Sequence, residues 1–274
     1  MALPSMSVGG VEVQGLSDGI LKTSLDLVIG MERPQAEQLV GHTDNGSFYI
    51  PVNNFLIRRN GKVILIDAGA GNTMQPTLGR LPDNLRAAGL DPAAVTHIIM
   101  THLHPDHANG LVNDEGRPHY PNAEIVVHRA EADFWMRADG ANDPDRVKSN
   151  RARTAINLRP YLDRVRRVAD SEEYLGFTPV LAPGHTPGHT CWLLATSGGG
   201  FMALGDVVHL SAIQISHPDT ALTYDLDKDL AIKSRKRILD LAATDRLAIA
   251  GAHVNAPGFG YVLRRGSSFA FEPA

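Results

Sequence analysis

The sequence predicts an α/β fold of two halves whose sheets pack face to face, with helices on the outside. Three observations lead there. Two β-rich passages are each followed by a passage mixing helical and strand patterns. Short apolar runs end in loops rich in glycine or histidine. The 274 residues, 43% of them apolar, are enough chain to bury a sizeable core. No linker, fixed-period repeat or low-complexity segment divides the chain, so residues 1–274 read as one domain.

The elements follow in order. Ser47 to Arg58 and Lys62 to Ile66 read as a hairpin turning at Asn60-Gly61, a dipeptide that accepts positive φ. A glycine-rich loop, Asp67-Ala68-Gly69-Ala70-Gly71, ends that hairpin. A helix from about Leu81 to Ala88 stops at Gly89, and Thr96 to Met100 forms the next strand. Glu124 to Val127 is a further strand, followed by a helix near Ala130 to Arg137. Residues 146 to 168 read as helical, with Pro160 kinking or splitting the run. Val180-Leu181, Cys191 to Leu194 and Phe201 to Leu204 read as strands. Asp227 caps a helix running to about Ala243, and Arg246 to Ala250 is a last buried strand.

Composition removes several function classes. The net charge of −4 offers no electrostatic reason to expect nucleic acid or an anionic membrane as partner. Cys191 is the only cysteine, so no internal disulfide forms. Residues 1 to 10 lack the basic and apolar regions of a signal peptide, and no apolar run approaches the roughly 18 residues of a membrane span. A cytoplasmic protein acting on a small molecule is the expectation.

The chemistry concentrates in Thr101-His102-Leu103-His104-Pro105-Asp106-His107. In an extended or tightly turning segment His102 and His104 point to one side and can share an ion. Asp106 and His107 follow as the chain turns into a helix and reach a second one. Imidazole and carboxylate together suit Zn²⁺, with Mn²⁺, Fe²⁺ and Co²⁺ as alternatives. Three more candidates sit at separate strand ends beside glycines: His189 in Gly184-His185-Thr186-Pro187-Gly188-His189, Asp206 after Gly205, and His253 after Gly251-Ala252. A carboxylate can bridge two cations. The working assignment therefore puts His102, His104 and His189 on one metal and Asp106, His107 and His253 on the other, with Asp206 between them. Positions left for water mark a catalytic site.

This set of motifs resembles the metallo-β-lactamase superfamily. Pro76 to Leu81, Ala132-Asp133-Phe134-Trp135 and Ala252 to Gly258 resemble the branch holding methyl parathion hydrolase and related lactonases. The resemblance covers about residues 45 to 265. It implies an αββα sandwich, a homodimer, and a hydrolase that uses a metal-bridging hydroxide on lactones, esters or organophosphate triesters. Asp106 and Asp206 would orient the nucleophile or move a proton. His209 stands where related lactonases carry a tyrosine, and a histidine there could donate a hydrogen bond or a proton.

Other residues receive subordinate roles. His185 reads as supporting the turn that carries His189, and Asp67 as accepting a hydrogen bond from a ligand histidine. Met74, Phe134, Trp135 and Tyr224 are pocket-wall candidates by resemblance. Loops around residues 15 to 40, 70 to 75 and 135 to 150 shape the pocket, and no motif constrains them. His42, His97, His119, His128 and His217 read as surface or satisfied core residues. The cluster Lys233, Arg235, Lys236, Arg237 reads as a solvated helix face. A glyoxalase II-like thioesterase shares the ligand set and would want basic residues such as Arg264-Arg265. A non-enzymatic metal-binding protein of the same fold would have lost ligands, and here the full set is present.

Overall fold

Strands carry alternating faces, and two sheets here use both of theirs. The computed structural model describes residues 3–41 and 43–274, so His42 lies outside the described residues. The first sheet has seven strands, in the order Ser5–Val8, Val11–Ser24, Ser47–Arg59, Lys62–Ile66, His97–Ile99, Glu124–His128 and Val165–Val168. Its first three pairings are antiparallel and its last three parallel. The second sheet has six, in the order Ser268–Pro273, Phe259–Arg265, Ala248–Ala250, Gly199–Ala203, Thr190–Thr196 and Phe177–Leu181.

Side-chain alternation then dictates the layers. Ile64, Ile66 and Ile99 point inward and meet Trp192, Leu194, Phe201 and Phe259 of the opposite sheet. Their neighbours Leu65 and Ile98 point outward, against Leu81, Leu85, Trp135 and Leu158 of the flanking helices. On the far side Cys191, Met202 and Ile249 pack on Ile238, Leu239 and Ala242 of the helix Lys228–Thr244. The result is the helix–sheet–sheet–helix sandwich that was expected. Burying each such Leu or Ile contributes roughly 1.5–3 kcal/mol, so these faces carry most of the driving force.

Most elements sit where the sequence places them. The hairpin turns at Asn60-Gly61 with φ +50° and +72°. Asp227 caps its helix by accepting from the Leu230 N–H at 2.9 Å. Three differences matter. The helix begun at Asp145 ends at Leu158, and a 3₁₀ turn over Arg159–Arg164 leads into an edge strand, Val165–Val168, where helix was expected. That strand is held partly by Arg166 pairing across to Glu124 at 2.6 Å. The 14-residue strand Val11–Ser24 runs through a region expected to be loop, because a bulge between Ser17 and Gly19 breaks its alternation. The chain also closes with a hairpin, Phe259–Arg265 and Ser268–Pro273, that was not anticipated. Among the described residues no helix is long and apolar enough to cross a membrane.

Candidate metal centre

The chemistry gathers in the loops that leave these strands. After His97–Ile99 the chain stays extended, so Leu103 turns into the helix-side core while the His102 and His104 rings face the other way, 4.8 Å apart. Pro105 then starts a one-turn helix that presents Asp106 and His107. Asp206 follows Gly205, which has φ +54°. A Cβ on Gly205 would stand 2.6 Å from His189 Nε2 and 2.8 Å from Thr101 Cβ, so only glycine allows this approach. His253 follows Ala248–Ala250 in a loop bracketed by Asn53, whose side chain donates to the Gly251 and Val254 carbonyls at 3.1 and 2.8 Å.

Two clusters of ligand atoms result, each with its members within 4.8 Å of one another. One joins His102, His104 and His185; the other joins Asp106, His107, Asp206 and His253. Asp206 spans both. Its Oδ1 lies 3.1 Å from His107 Nε2 and 3.3 Å from His253 Nε2, while its Oδ2 lies 3.3 Å from His185 Nε2 and 3.8 Å from His102 Nε2.

His185 therefore stands where the sequence reading put His189. The two differ by four residues in one glycine-rich turn, and their own neighbours do not distinguish them. In the structure the His189 ring sits beneath the loop and accepts the Asp206 backbone N–H at Nε2, at 2.9 Å. It is committed to holding that loop, and burial pushes its pKa down to about 3.

The histidines are aimed from behind. His107 Nδ1 donates to Asp67 Oδ2 at 2.8 Å. His253 Nδ1 donates to the Pro51 carbonyl at 2.8 Å, and His185 Nδ1 to Asp225 Oδ1 at 3.0 Å. The Thr101 hydroxyl donates to Asp67, which leaves its oxygen to accept from His102 Nδ1 at 3.1 Å. Each bond places the hydrogen on the outer nitrogen and turns a lone pair inward. Accordingly Nε2 of His102, His107 and His253 and Oδ1 of Asp206 are buried without a hydrogen-bond partner. Buried polar atoms of this kind are costly unless something occupies them. Burial alone would lower the His253 pKa, but the Asp206 and Asp106 carboxylates raise it to about 10. The field here calls for positive charge, and the donor set fits two divalent cations.

Asp67 has φ +58°, a conformation that asparagine also tolerates. Asp67→Asn therefore isolates its three accepted hydrogen bonds, from the Thr101 N–H, the Thr101 hydroxyl and His107. We expect the variant to fold and to bind metal about 10–100-fold more weakly, measured by competition with a chromophoric chelator.

A cavity of about 220 Å³ opens on the cluster, with Met74 and Tyr224 on its wall beside Leu21, Lys22, Arg146 and Asn150. Phe134 and Trp135 do not line it. Trp135 is fully buried, donates to Glu131 at 2.7 Å and backs the His104 ring at 5.6 Å. Phe134 lies half-buried, with the guanidinium carbons of Arg137 and Arg151 each 5.4 Å from its ring centroid. His209 does face the cavity, its Nδ1 at 2.9 Å from Asp206 Oδ2 and its ring 5.2 Å from Tyr224. A larger hollow of about 600 Å³, edged by Arg80, Arg86 and Glu115, contains no such cluster among the described residues.

Three supporting residues escaped the sequence reading: Glu131, Asp225 and Arg235. Arg235, expected on a solvated face, is buried and donates to the carbonyls of Val207, Pro218 and Thr220. It stands 3.9 Å from Asp225, the carboxylate behind His185.

Residues 49–253 match the metallo-beta-lactamase superfamily. The chain belongs to that superfamily. Among curated relatives of this metallo-beta-lactamase superfamily member, the N-acyl homoserine lactonase AttM of Azorhizobium caulinodans is 29% identical over 44% of the chain and 43% of its own length. AttM of Rhizobium radiobacter is 27% identical over 55% of the chain and 62% of its own length. The chain thus spans between about two fifths and three fifths of the length of the curated relatives it matches. Solved structures align more fully. The hydrolase AbOPH of the beta lactamase superfamily superposes with a TM-score of 0.94 at 29% identity, covering 100% of this chain and 98% of that one. AidC, a dizinc quorum-quenching lactonase solved with a product, N-hexanoyl-L-homoserine, gives a TM-score of 0.89 at 26% identity, covering 100% and 97%.

Proposed function

We propose that the protein is a dinuclear metal-dependent hydrolase that opens lactone rings, with N-acyl homoserine lactones as the substrate class. The observation that carries this is Asp206, whose two carboxylate oxygens face two separate clusters of ligand atoms at the floor of the cavity. His102, His104 and His185 would hold one ion, and Asp106, His107 and His253 the other, with Asp206 shared. Nitrogen and oxygen donors of this kind suit Zn²⁺ first and Mn²⁺, Fe²⁺ or Co²⁺ next. When bound, such a pair lowers the pKa of a shared water and polarises the substrate carbonyl.

The chain's own groups supply the rest. Asp206 can only accept, so the hydrogen between it and His209 sits on Nδ1 and leaves His209 Nε2 as an acceptor, buried and without a partner. In this reading that atom takes the proton of the attacking water and returns it to the departing alkoxide oxygen of the opened ring. An alkoxide leaves poorly without that proton, whereas an acidic phenol does not need it. Tyr224 and Leu21 give the acyl chain an apolar wall, and Lys22 and Arg146 edge the opening.

Those two cations favour a second reading, an ester or thioester whose far end is anionic. Arg264 and Arg265 do not support it, because they lie on the C-terminal hairpin outside the cavity lining, with Arg264 paired to Asp240. The test is turnover of N-hexanoyl-homoserine lactone, a p-nitrophenyl phosphotriester and a glutathione thioester by the metal-loaded protein. We expect the lactone to give the highest kcat/KM. Thioester turnover alone would replace the leading reading with the second, and phosphotriester turnover alone would exclude both.

A further inference from the structure

Glu131, outside the ligand clusters, accepts four hydrogen bonds from buried donors. It is 0% exposed, at the start of the short helix Arg129–Trp135, and among the described residues no cation pairs with it. Burying a carboxylate without a cation is costly, and four neutral donors offset that cost here. Oε1 accepts from the Leu103 backbone N–H at 2.8 Å and from Trp135 Nε1 at 2.7 Å. Oε2 accepts from the Thr186 hydroxyl at 2.7 Å and from the Gly188 backbone N–H at 3.0 Å.

The four donors are not scattered. Leu103 lies between His102 and His104, Thr186 and Gly188 follow His185 in its turn, and the Trp135 ring backs His104. One carboxylate therefore grips, on its two oxygens, the two loops that carry all three histidines of one cluster. The turn also presses close to the helix, since a Cβ on Gly188 would stand 2.0 Å from the Glu131 backbone nitrogen. The other cluster is held without Glu131, by the Pro51 carbonyl, the Asn53 bracket and Asp67, the last of which also reaches His102 through Thr101.

We propose that Glu131 is a positioning residue that sets the spacing between the His102–His104 segment and the His185 turn, and through it the geometry of that one metal cluster alone. The inference rests on the metal reading above. Glu131→Gln keeps the side chain's size but turns an amide NH₂ toward one pair of donors, so one half of the grip becomes donor against donor.

The experiment is a two-ion competition titration with a chromophoric chelator, together with the visible spectrum of the Co²⁺-loaded protein. In Glu131→Gln one ion, the same one lost in His185→Ala, is expected to bind at least about tenfold more weakly. The other ion keeps its affinity within about twofold, and the Co²⁺ band of a single equivalent changes. Leu239→Ala, in the core behind the second sheet, is expected to lower the melting temperature and leave both affinities alone. Should Glu131→Gln fail to fold, Thr186→Val and Trp135→Phe each remove one donor and should weaken the same ion to a smaller extent. Wild-type affinities and an unchanged Co²⁺ spectrum in the variants would overturn the proposal, as would equal weakening of both ions or an equal loss in Leu239→Ala. A wild-type protein that takes up no pair of ions would overturn the metal reading itself, and with it the role of Glu131.

Discussion

Asp206→Ala is expected to lower kcat/KM for N-hexanoyl-homoserine lactone by at least about 10³-fold, a loss of roughly 4 kcal/mol of transition-state stabilisation. The size follows from how many functions one residue serves. Its Oδ1 faces His107 and His253, its Oδ2 faces His185 and His102, and Oδ2 also fixes the hydrogen of His209 on Nδ1. Alanine removes the shared ligand, the coupling of the two clusters and the tautomer control together. Metal content should fall below two ions per chain in the same preparation. Activity retained within about tenfold, with both ions still bound, would show that the carboxylate is not the shared ligand.

His185→Ala and His189→Ala form the second pair, and they should fail in different ways. Losing His185 removes an inward-facing Nε2 backed by Asp225, so metal affinity and turnover should each fall by about 10²-fold or more. Losing His189 removes the acceptor of the Asp206 N–H and leaves that buried donor unsatisfied, at a cost of about 1–3 kcal/mol in stability. Its variant should melt at a lower temperature yet load both ions at moderate cost in turnover. The readouts are metal stoichiometry, melting temperature and kcat, taken on both proteins. The reverse pattern, with His189→Ala losing an ion and His185→Ala keeping both, would restore the assignment that the sequence suggested.

That pair marks the boundary of what could be read from residues alone. The HxHxDH segment is legible because its geometry is local: alternation aims two histidines and the following turn aims the next two groups. The central strands are legible for the same reason, as with Ile64, Leu65 and Ile66 sorting to opposite faces. In the GHTPGH turn both histidines stand beside a glycine, and what separates them is Asp225, about forty residues downstream. Glu131 and Arg235 look like ordinary helix-surface charges until the fold brings buried partners to them. Trp135 has the composition of a pocket wall, but its indole N–H finds Glu131 inside the helix layer. Val11–Ser24 hides its period because Gly15 and the bulge near Gly19 interrupt it.

The cavity joins two kinds of construction. Its floor is tied to strand ends and to buried carboxylates that answer one another across the sandwich. Its wall is assembled from segments of the chain outside the two ligand clusters: Leu21 and Lys22 late in one strand, Met74 and Gln75 in a loop whose Gln75 side chain exchanges two hydrogen bonds with the Lys22 backbone, and Arg146 and Asn150 on an outer helix. Substitutions in the wall can therefore reshape the cavity while the ligand atoms of the floor keep their places. Under the proposed function, substrate preference would be set by segments other than those that hold the ions, so changes in the one need not disturb the other.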